Sequence, residues 1–173
     1  IGTIMHTDLV TVPPDTTLVE ARELIESKGI DHLLVVNRKG RLVGIVSGRD
    51  LVQNWASPAT ALSAHELNYL LDKVQVQMIM VKTVVTVAPD TPIERAAYIM
   101  QTHSIGSLPV MADDELVGIV TSTDVMAVLL QAIGLSDDSV RICILVGAAI
   151  GSLATVTTIL MQQAINIQSL LSW

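Results

Sequence analysis

Hydrophobic and polar positions along this chain follow the same programme twice: a strand-length apolar run, a helical stripe, two further strand runs around a polar turn, and a second helix. In the first pass Leu9 to Val12 reads as a short strand, and Pro14-Asp15-Thr16 signals a helix start. Leu18, Ala21, Leu24 and Ile25 then share one helical face, and Gly29 is placed to end that helix. Leu33 to Val36 and Leu42 to Val46 read as strands, and a helix opens after Asp50. In the second pass Val84 to Val87 is the short strand, and Ile93, Ala96, Ala97 and Met100 form the stripe. Leu108 to Met111 and Leu116 to Val120 are the strands, and a helix opens after Asp124. Thr91 is expected to cap the stripe helix, with Pro92 at its first position and Glu94 completing a capping box.

The two passes are copies of one unit. Ile4-Met5, Val10-Thr11-Val12, Pro14-Asp15-Thr16 and Ala21 recur as Ile79-Met80, Val85-Thr86-Val87, Pro89-Asp90-Thr91 and Ala96, at a constant offset of 75. Ile30 with Ile105 and Leu33 with Leu108 keep that offset, which falls to 74 from Gly44-Ile45-Val46-Ser47 against Gly118-Ile119-Val120-Thr121. The lost residue lies in the turn, where Asn37-Arg38-Lys39-Gly40-Arg41 faces Ala112-Asp113-Asp114-Glu115. Turns are where a sheet tolerates a change of length. The expected fold is therefore α/β (α+β), with tandem β-α-β-β-α repeats, each a small sheet with helices against one face. Residues 1–56 are assigned to the first repeat, 57–77 to a helical connector, 78–134 to the second repeat and 139–173 to a further segment. In the connector, Ser63-Ala64-His65-Glu66 reads as a capping box ahead of Leu67, Leu70 and Leu71.

Composition narrows the possibilities. Half the chain is apolar, yet there is no Phe and only two Trp and two Tyr, so aliphatic side chains must fill the interior. A net charge of −7, with no basic cluster, repels phosphate backbones and anionic membranes, and excludes nucleic acid as the expected partner. The lone Cys143 rules out an intrachain disulfide and fits a reducing compartment. Between Ile142 and Ile144 on an expected strand, it reads as a buried structural thiol rather than a nucleophile. The sequence opens at Ile1 with neither Met nor a leader, as expected of a fragment.

The chemistry-bearing residues do not form an enzyme's signature. His6, His32, His65 and His103 are scattered without a metal-ligand spacing, and no nucleophile elbow, P-loop or dinucleotide fingerprint occurs. Gly44 and Gly118 precede apolar strand residues and are expected to serve backbone packing. The chain is read as non-enzymatic.

The repeats end in Gly44-Ile45-Val46-Ser47-Gly48-Arg49-Asp50 and Gly118-Ile119-Val120-Thr121-Ser122-Thr123-Asp124. With these endings, the doubled unit resembles the CBS domain pair (Bateman module) from Ile4 to about Ile133. The resemblance implies pseudo-two-fold packing and two clefts for adenine nucleotides or related adenosyl ligands. An aspartate at a helix start can accept both ribose hydroxyls, a Ser or Thr three residues earlier can donate, and the helix N-terminus favours phosphate. By this resemblance Ser47 and Asp50 belong to the first cleft, and Thr121 and Asp124 to the second. Arg49 would neutralise phosphate in the first, where Thr123 stands in the second. Thr11 and Thr86 would line the adenine pockets, with Ile30, His32, Ile105 and Pro109 as further carried-over contacts. Leu34 stands where Pro109 does in the other copy, so unequal sites are expected. Plainer roles compete: Asp50 and Asp124 as helix N-caps, Arg49 as a surface residue, His32 as a core-edge residue.

Beyond the repeats, Ile142 to Met161 carries no charge and contains a GxxxG, Gly147 to Gly151. A membrane span is one reading. The other divides the run into a strand from Val140 to Val146, a turn, a helix capped by Ser152, and an alternating strand from Ile165 to Leu170. That β-α-β resembles the first half of a ferredoxin-like ACT domain, and a CBS pair followed by an ACT domain resembles the acetoin-utilisation regulatory family. Gly151 and Ser152 are then the candidate ligand residues of that segment. The resemblances imply a cytoplasmic regulatory module that needs no cofactor, takes an adenine nucleotide as regulatory ligand, and forms a homodimer. Two alternatives remain: a dimerising scaffold with empty clefts, and the cytoplasmic regulatory part of a membrane transporter.

Overall fold

The computed structural model describes residues 1–55, 73–134, 140–147 and 149–170. The connector helix with Leu67, Leu70 and Leu71, and its capping box at Ser63 to Glu66, fall outside the described residues. Internal contacts divide the chain into two compact units, Ile1–Asp124 and Val125–Trp173.

In the first repeat, strands β1 (Thr11–Val12), β2 (His32–Val36) and β3 (Leu42–Ser47) form a sheet in that order. β1 runs parallel to β2, and β2 antiparallel to β3. Helix α1 (Leu18–Lys28) joins the parallel pair. Its start is a full capping box: Thr17 Oγ1 accepts from Glu20 N, and Glu20 Oε2 accepts from Thr17 N at 2.9 Å. Its end is Gly29 at φ 62°, a left-handed position that costs glycine no Cβ clash. Helix α2 (Gly48–Asn54) follows β3 directly. Leu18, Ala21, Leu33, Val35, Val46 and Leu51 form the core, each side chain removing apolar area worth roughly 1.5–3 kcal/mol when it is as large as Leu or Val.

After the single-turn helix α3 (Val76–Ile79) the pattern returns. Helix α4 (Ile93–His103) precedes the hairpin of β4 (Ser107–Ala112) and β5 (Glu115–Thr121), and α5 (Ser122–Ala132) follows. The first strand is reduced to one parallel bridge, Val87 to Val110. The expected Thr91–Glu94 capping box does not form. Pro92 is the N-cap without a side-chain bond, because Thr91 Oγ1 turns back to accept from Ala88 N at 3.1 Å. The hairpins differ as the offset implies. Asn37 Oδ1 gathers the N–H groups of Lys39 and Arg41 in the first, whereas Asp113 and Asp114, both at positive φ, close the shorter second.

The repeats are interlocked through their leading segments. Val81 and Ile45 exchange backbone hydrogen bonds of 2.9 and 3.1 Å, so the second repeat's leader lies on the first repeat's β3. His6 and Ile119 do the same at 2.8 and 3.0 Å, placing the first repeat's leader on β5. The correspondence extends outward: Val76 N donates to Thr16 O as the Ile1 amino group does to Thr91 O, and Gln77 N to Pro14 O as Gly2 N to Pro89 O. Each pair of bonds is the other shifted by the repeat offset, which is the pseudo-two-fold relation in hydrogen bonds.

In Val125–Trp173 the described chain holds the rest of α5 and helix α6 (Ser152–Gln162). Residues 140–147 and 165–170 form no strand, so the expected flanking strands of a β-α-β half are not found; no neighbouring edge among the described residues pairs with them. The membrane-span reading of Ile142 to Met161 is corrected similarly, since no described helix is long and apolar enough to cross a bilayer. Cys143 is exposed, not buried as expected, because the segment carrying it joins no sheet.

Candidate functional site

The sharpest local chemistry lies where β3 passes into α2 and β5 into α5. At the first junction Ser47 Oγ donates to Asp50 Oδ2 at 2.6 Å, Ser47 N donates to the same oxygen at 2.8 Å, and Asp50 N donates back to Ser47 Oγ at 3.2 Å. Thr121 and Asp124 repeat the arrangement at 2.7, 2.8 and 3.3 Å. Each aspartate is therefore the third residue of its helix rather than the N-cap expected in the plain reading; Ser47 is the cap of α2. Two strand-end groups occupy Oδ2, which leaves Oδ1 as the carboxylate's outward acceptor.

The two junctions are not equal. His6 Nε2 lies 3.0 Å from Asp124 Oδ1, and because a carboxylate only accepts, that nitrogen carries the hydrogen. Burial alone would raise the Asp124 pKa, but hydrogen bonds from Thr121 and His6, with the His6 charge, hold it below the ordinary carboxylate value. No hydrogen bond to Asp50 Oδ1 occurs among the described residues. Sequence reading missed His6, although the repeat offset placed it opposite Val81 and marked the position as different in the two copies.

The other expected residues are less convergent. His32 is the cross-strand neighbour of Ser47 and lies against Gly106, where an added Cβ would sit 3.7 Å from His32 Cε1. Burial pushes its pKa down, against the pull of Asp31 and Asp50. Ile30 and Ile105 are half-buried just ahead of β2 and β4, while Thr11 is exposed on β1 and Thr86 is exposed just ahead of the Val87 bridge. Arg49 and Thr123 are exposed in the first turns of α2 and α5. Pro109 is fully buried and its carbonyl accepts from Val87 N at 3.1 Å, so its side chain packs the interior. Gly151 is the N-cap of α6 at φ 90°, and Ser152 Oγ donates back to the Gly147 and Ala149 carbonyls instead of capping the helix.

Two shallow hollows lie away from both carboxylates. One of about 430 Å³ is lined by the two hairpin turns, with Lys39 and Arg41 facing Asp113, Asp114 and Glu115. The other, about 540 Å³, lies beside Pro13, Asp15 and Glu20. Neither hollow is lined by Asp50 or Asp124, and both are open to solvent rather than enclosed as a ligand pocket is.

A duplicated β-α-β-β-α unit, interlocked by its leaders and carrying one carboxylate at each strand-to-helix junction, defines a tandem-repeat module. The CBS domain model matches residues 1–57 and 76–131, and the chain belongs to the CBS-domain family. Among solved structures, CBSX2 in complex with AMP is 33% identical, with a TM-score of 0.60, covering 76% of this chain and 96% of that one. A CBS domain pair in complex with 5′-methylthioadenosine and S-adenosyl-L-methionine is 26% identical, with a TM-score of 0.61, covering 75% and 94%. An acetoin utilization protein (AcuB) from Vibrio cholerae is 32% identical, with a TM-score of 0.62, covering 82% and 97%. The chain is also 35% identical over 126 residues to the homoserine O-acetyltransferase of Methanohalobium evestigatum, matching 72% of this chain but spanning only 23% of that protein.

Proposed function

We propose that this chain is a ligand-sensing regulatory module that takes an adenosine-containing nucleotide beside Asp50 and beside Asp124, and acts by binding rather than by catalysis. The observation that carries the reading is the pairing of Ser47 with Asp50 and of Thr121 with Asp124. Each ties one carboxylate oxygen to the strand end at a helix start and leaves the other for a further donor, a place that His6 takes at Asp124. A ribose diol suits that acceptor, and the adjacent helix N-terminus suits phosphate. The adenosyl ligands of the two similar structures support the ligand class. Arg49 would favour phosphate at the first site, with Ser47, Thr11, Ile30 and His32 around it. Thr121, Thr123, Thr86 and Ile105 would belong to the second. Differential affinity for two packings of the repeats would make the module a switch. Self-association belongs to the same reading, since Val52 and Met126, equivalent positions on α2 and α5, are 73% and 55% exposed. So does a reducing, cytoplasmic setting, supported by the free and exposed Cys143.

Calorimetry with AMP, ADP, ATP and S-adenosylmethionine tests the proposal on protein freed of carried-over nucleotide. Binding that Asp50→Asn weakens is the expected result, because asparagine keeps a capping acceptor while removing the charge and one acceptor. No heat with any of the four overturns it. A second reading, a scaffold with empty clefts, is favoured by one observation: both aspartates already complete capping boxes without any ligand. An absorbance excess at 260 nm in freshly purified protein would decide against the scaffold.

A further inference from the structure

We propose that His6 ranks the two clefts: its imidazole holds the Asp124 oxygen that a ribose hydroxyl would need, so the second cleft accepts its nucleoside only by displacing His6. The inference rests on the proposed ribose recognition and adds what that reading leaves open, namely why one site should fill before the other.

The fold supplies an internal control. His6 and Val81 occupy the same place in the two exchanged leaders, His6 pairing with Ile119 on β5 and Val81 with Ile45 on β3. Ile119 and Ile45 each lie two residues before the Thr121 or Ser47 that anchors its aspartate. The backbone frame is thus the same, and at this leader position an imidazole that donates stands against an isopropyl group that cannot. At Asp124, Oδ2 takes the two Thr121 donors and Oδ1 takes His6 Nε2 at 3.0 Å. At Asp50, Oδ2 takes the two Ser47 donors, and among the described residues Oδ1 has no hydrogen-bond donor. The imidazole is 61% exposed and Asp124 only 21% exposed, so the histidine covers the carboxylate from the solvent side, where a ligand would arrive. An exposed pair of this kind is weak, so it acts as a competitor that a good ligand overcomes.

The test is calorimetric titration of AMP into wild type, His6→Val, Val81→His and Asp124→Asn, with circular-dichroism melts to confirm folding. Asp124→Asn identifies which binding event belongs to the second cleft. His6→Val, which installs the residue the other leader already carries, is expected to tighten that event by about 1.5- to fivefold, the range for losing one exposed, hydrogen-bonded ion pair. Val81→His is expected to weaken the other event by a similar factor. In wild type, the His6 ring resonances in a proton–nitrogen correlation spectrum should shift only as the second cleft fills. An unchanged or weakened second event in His6→Val overturns the ranking role while leaving nucleotide recognition intact. Absence of binding in wild type and in both leader variants overturns nucleotide recognition itself, and the ranking falls with it.

Discussion

Gly44 sits directly beneath Met80: a Cβ on Gly44 would come 2.8 Å from Met80 Cγ and 3.2 Å from the Val81 carbonyl oxygen. Gly118 and Met5 repeat the relation, with a Cβ 2.6 Å from Met5 Sδ and 3.2 Å from the His6 carbonyl. The methionine could swing aside, but the backbone carbonyl is held in the bridge between Val81 and Ile45. Gly44→Ala should therefore destabilise the protein by about 1–3 kcal/mol through overpacking. In urea unfolding, the Gly44→Ala/Met80→Ala pair should lose less than the sum of its single variants, since the two share one contact.

The first-turn glutamates of α1 and α4 should behave differently, since Glu20 is the third residue of its helix and Glu94 the second. Glu20 accepts from Thr17 N and from Thr17 Oγ1, whereas no such bond forms at Glu94. Glu20→Ala is expected to cost about 0.5–1 kcal/mol and Glu94→Ala close to nothing. Equal losses in chemical denaturation would contradict the two caps.

Acid should act through His32. Its folded-state pKa lies below the ordinary histidine value because burial disfavours the charged ring, so the unfolded chain takes up a proton that the folded chain resists. Stability is then fully present above about pH 6.5 and is lost as pH falls toward the folded value. Asp124 adds a second loss further into acid, since its depressed pKa gives stability that disappears as pH falls through that lower value. Melting temperature measured from pH 7.5 to 5 should fall for wild type and fall less for His32→Asn.

Cys143 should react with a thiol reagent in the native protein as fast as a free cysteine does, without denaturant. A rate that rises sharply on unfolding would show the thiol to be covered.

Local periodicity made most of the fold legible. The runs around Leu33, Leu42, Leu108 and Leu116 became β2 to β5 with ends moved by one residue or left unchanged, because side-chain alternation is written into adjacent positions. The one-residue change of offset located the shorter turn correctly. Ser47, Asp50, Thr121 and Asp124 were found together because their partners are three residues away. What failed was whatever depends on distant chain. His6 meets Asp124 across 118 positions, which no local pattern reports. The Thr91 cap failed for a local reason: the helix starts one residue later than expected, with Pro92 at the N-cap, and the Thr91 hydroxyl accepts from the Ala88 N–H instead. Cys143 was misjudged because alternation alone cannot supply a neighbouring strand.

The crossing of the two leaders also fixes how assembly depends on connectivity. Residues 1–6 complete the second repeat's sheet edge and residues 76–81 the first's, so each repeat carries a part that only its partner can use. Joined in one chain, the parts meet at the high effective concentration that a tether provides. Severed anywhere within 56–72, the same parts would meet at bulk concentration, and the stability of the pair would become a function of dilution. Removing residues 1–6 instead would strip the second repeat alone and leave the first with its borrowed edge.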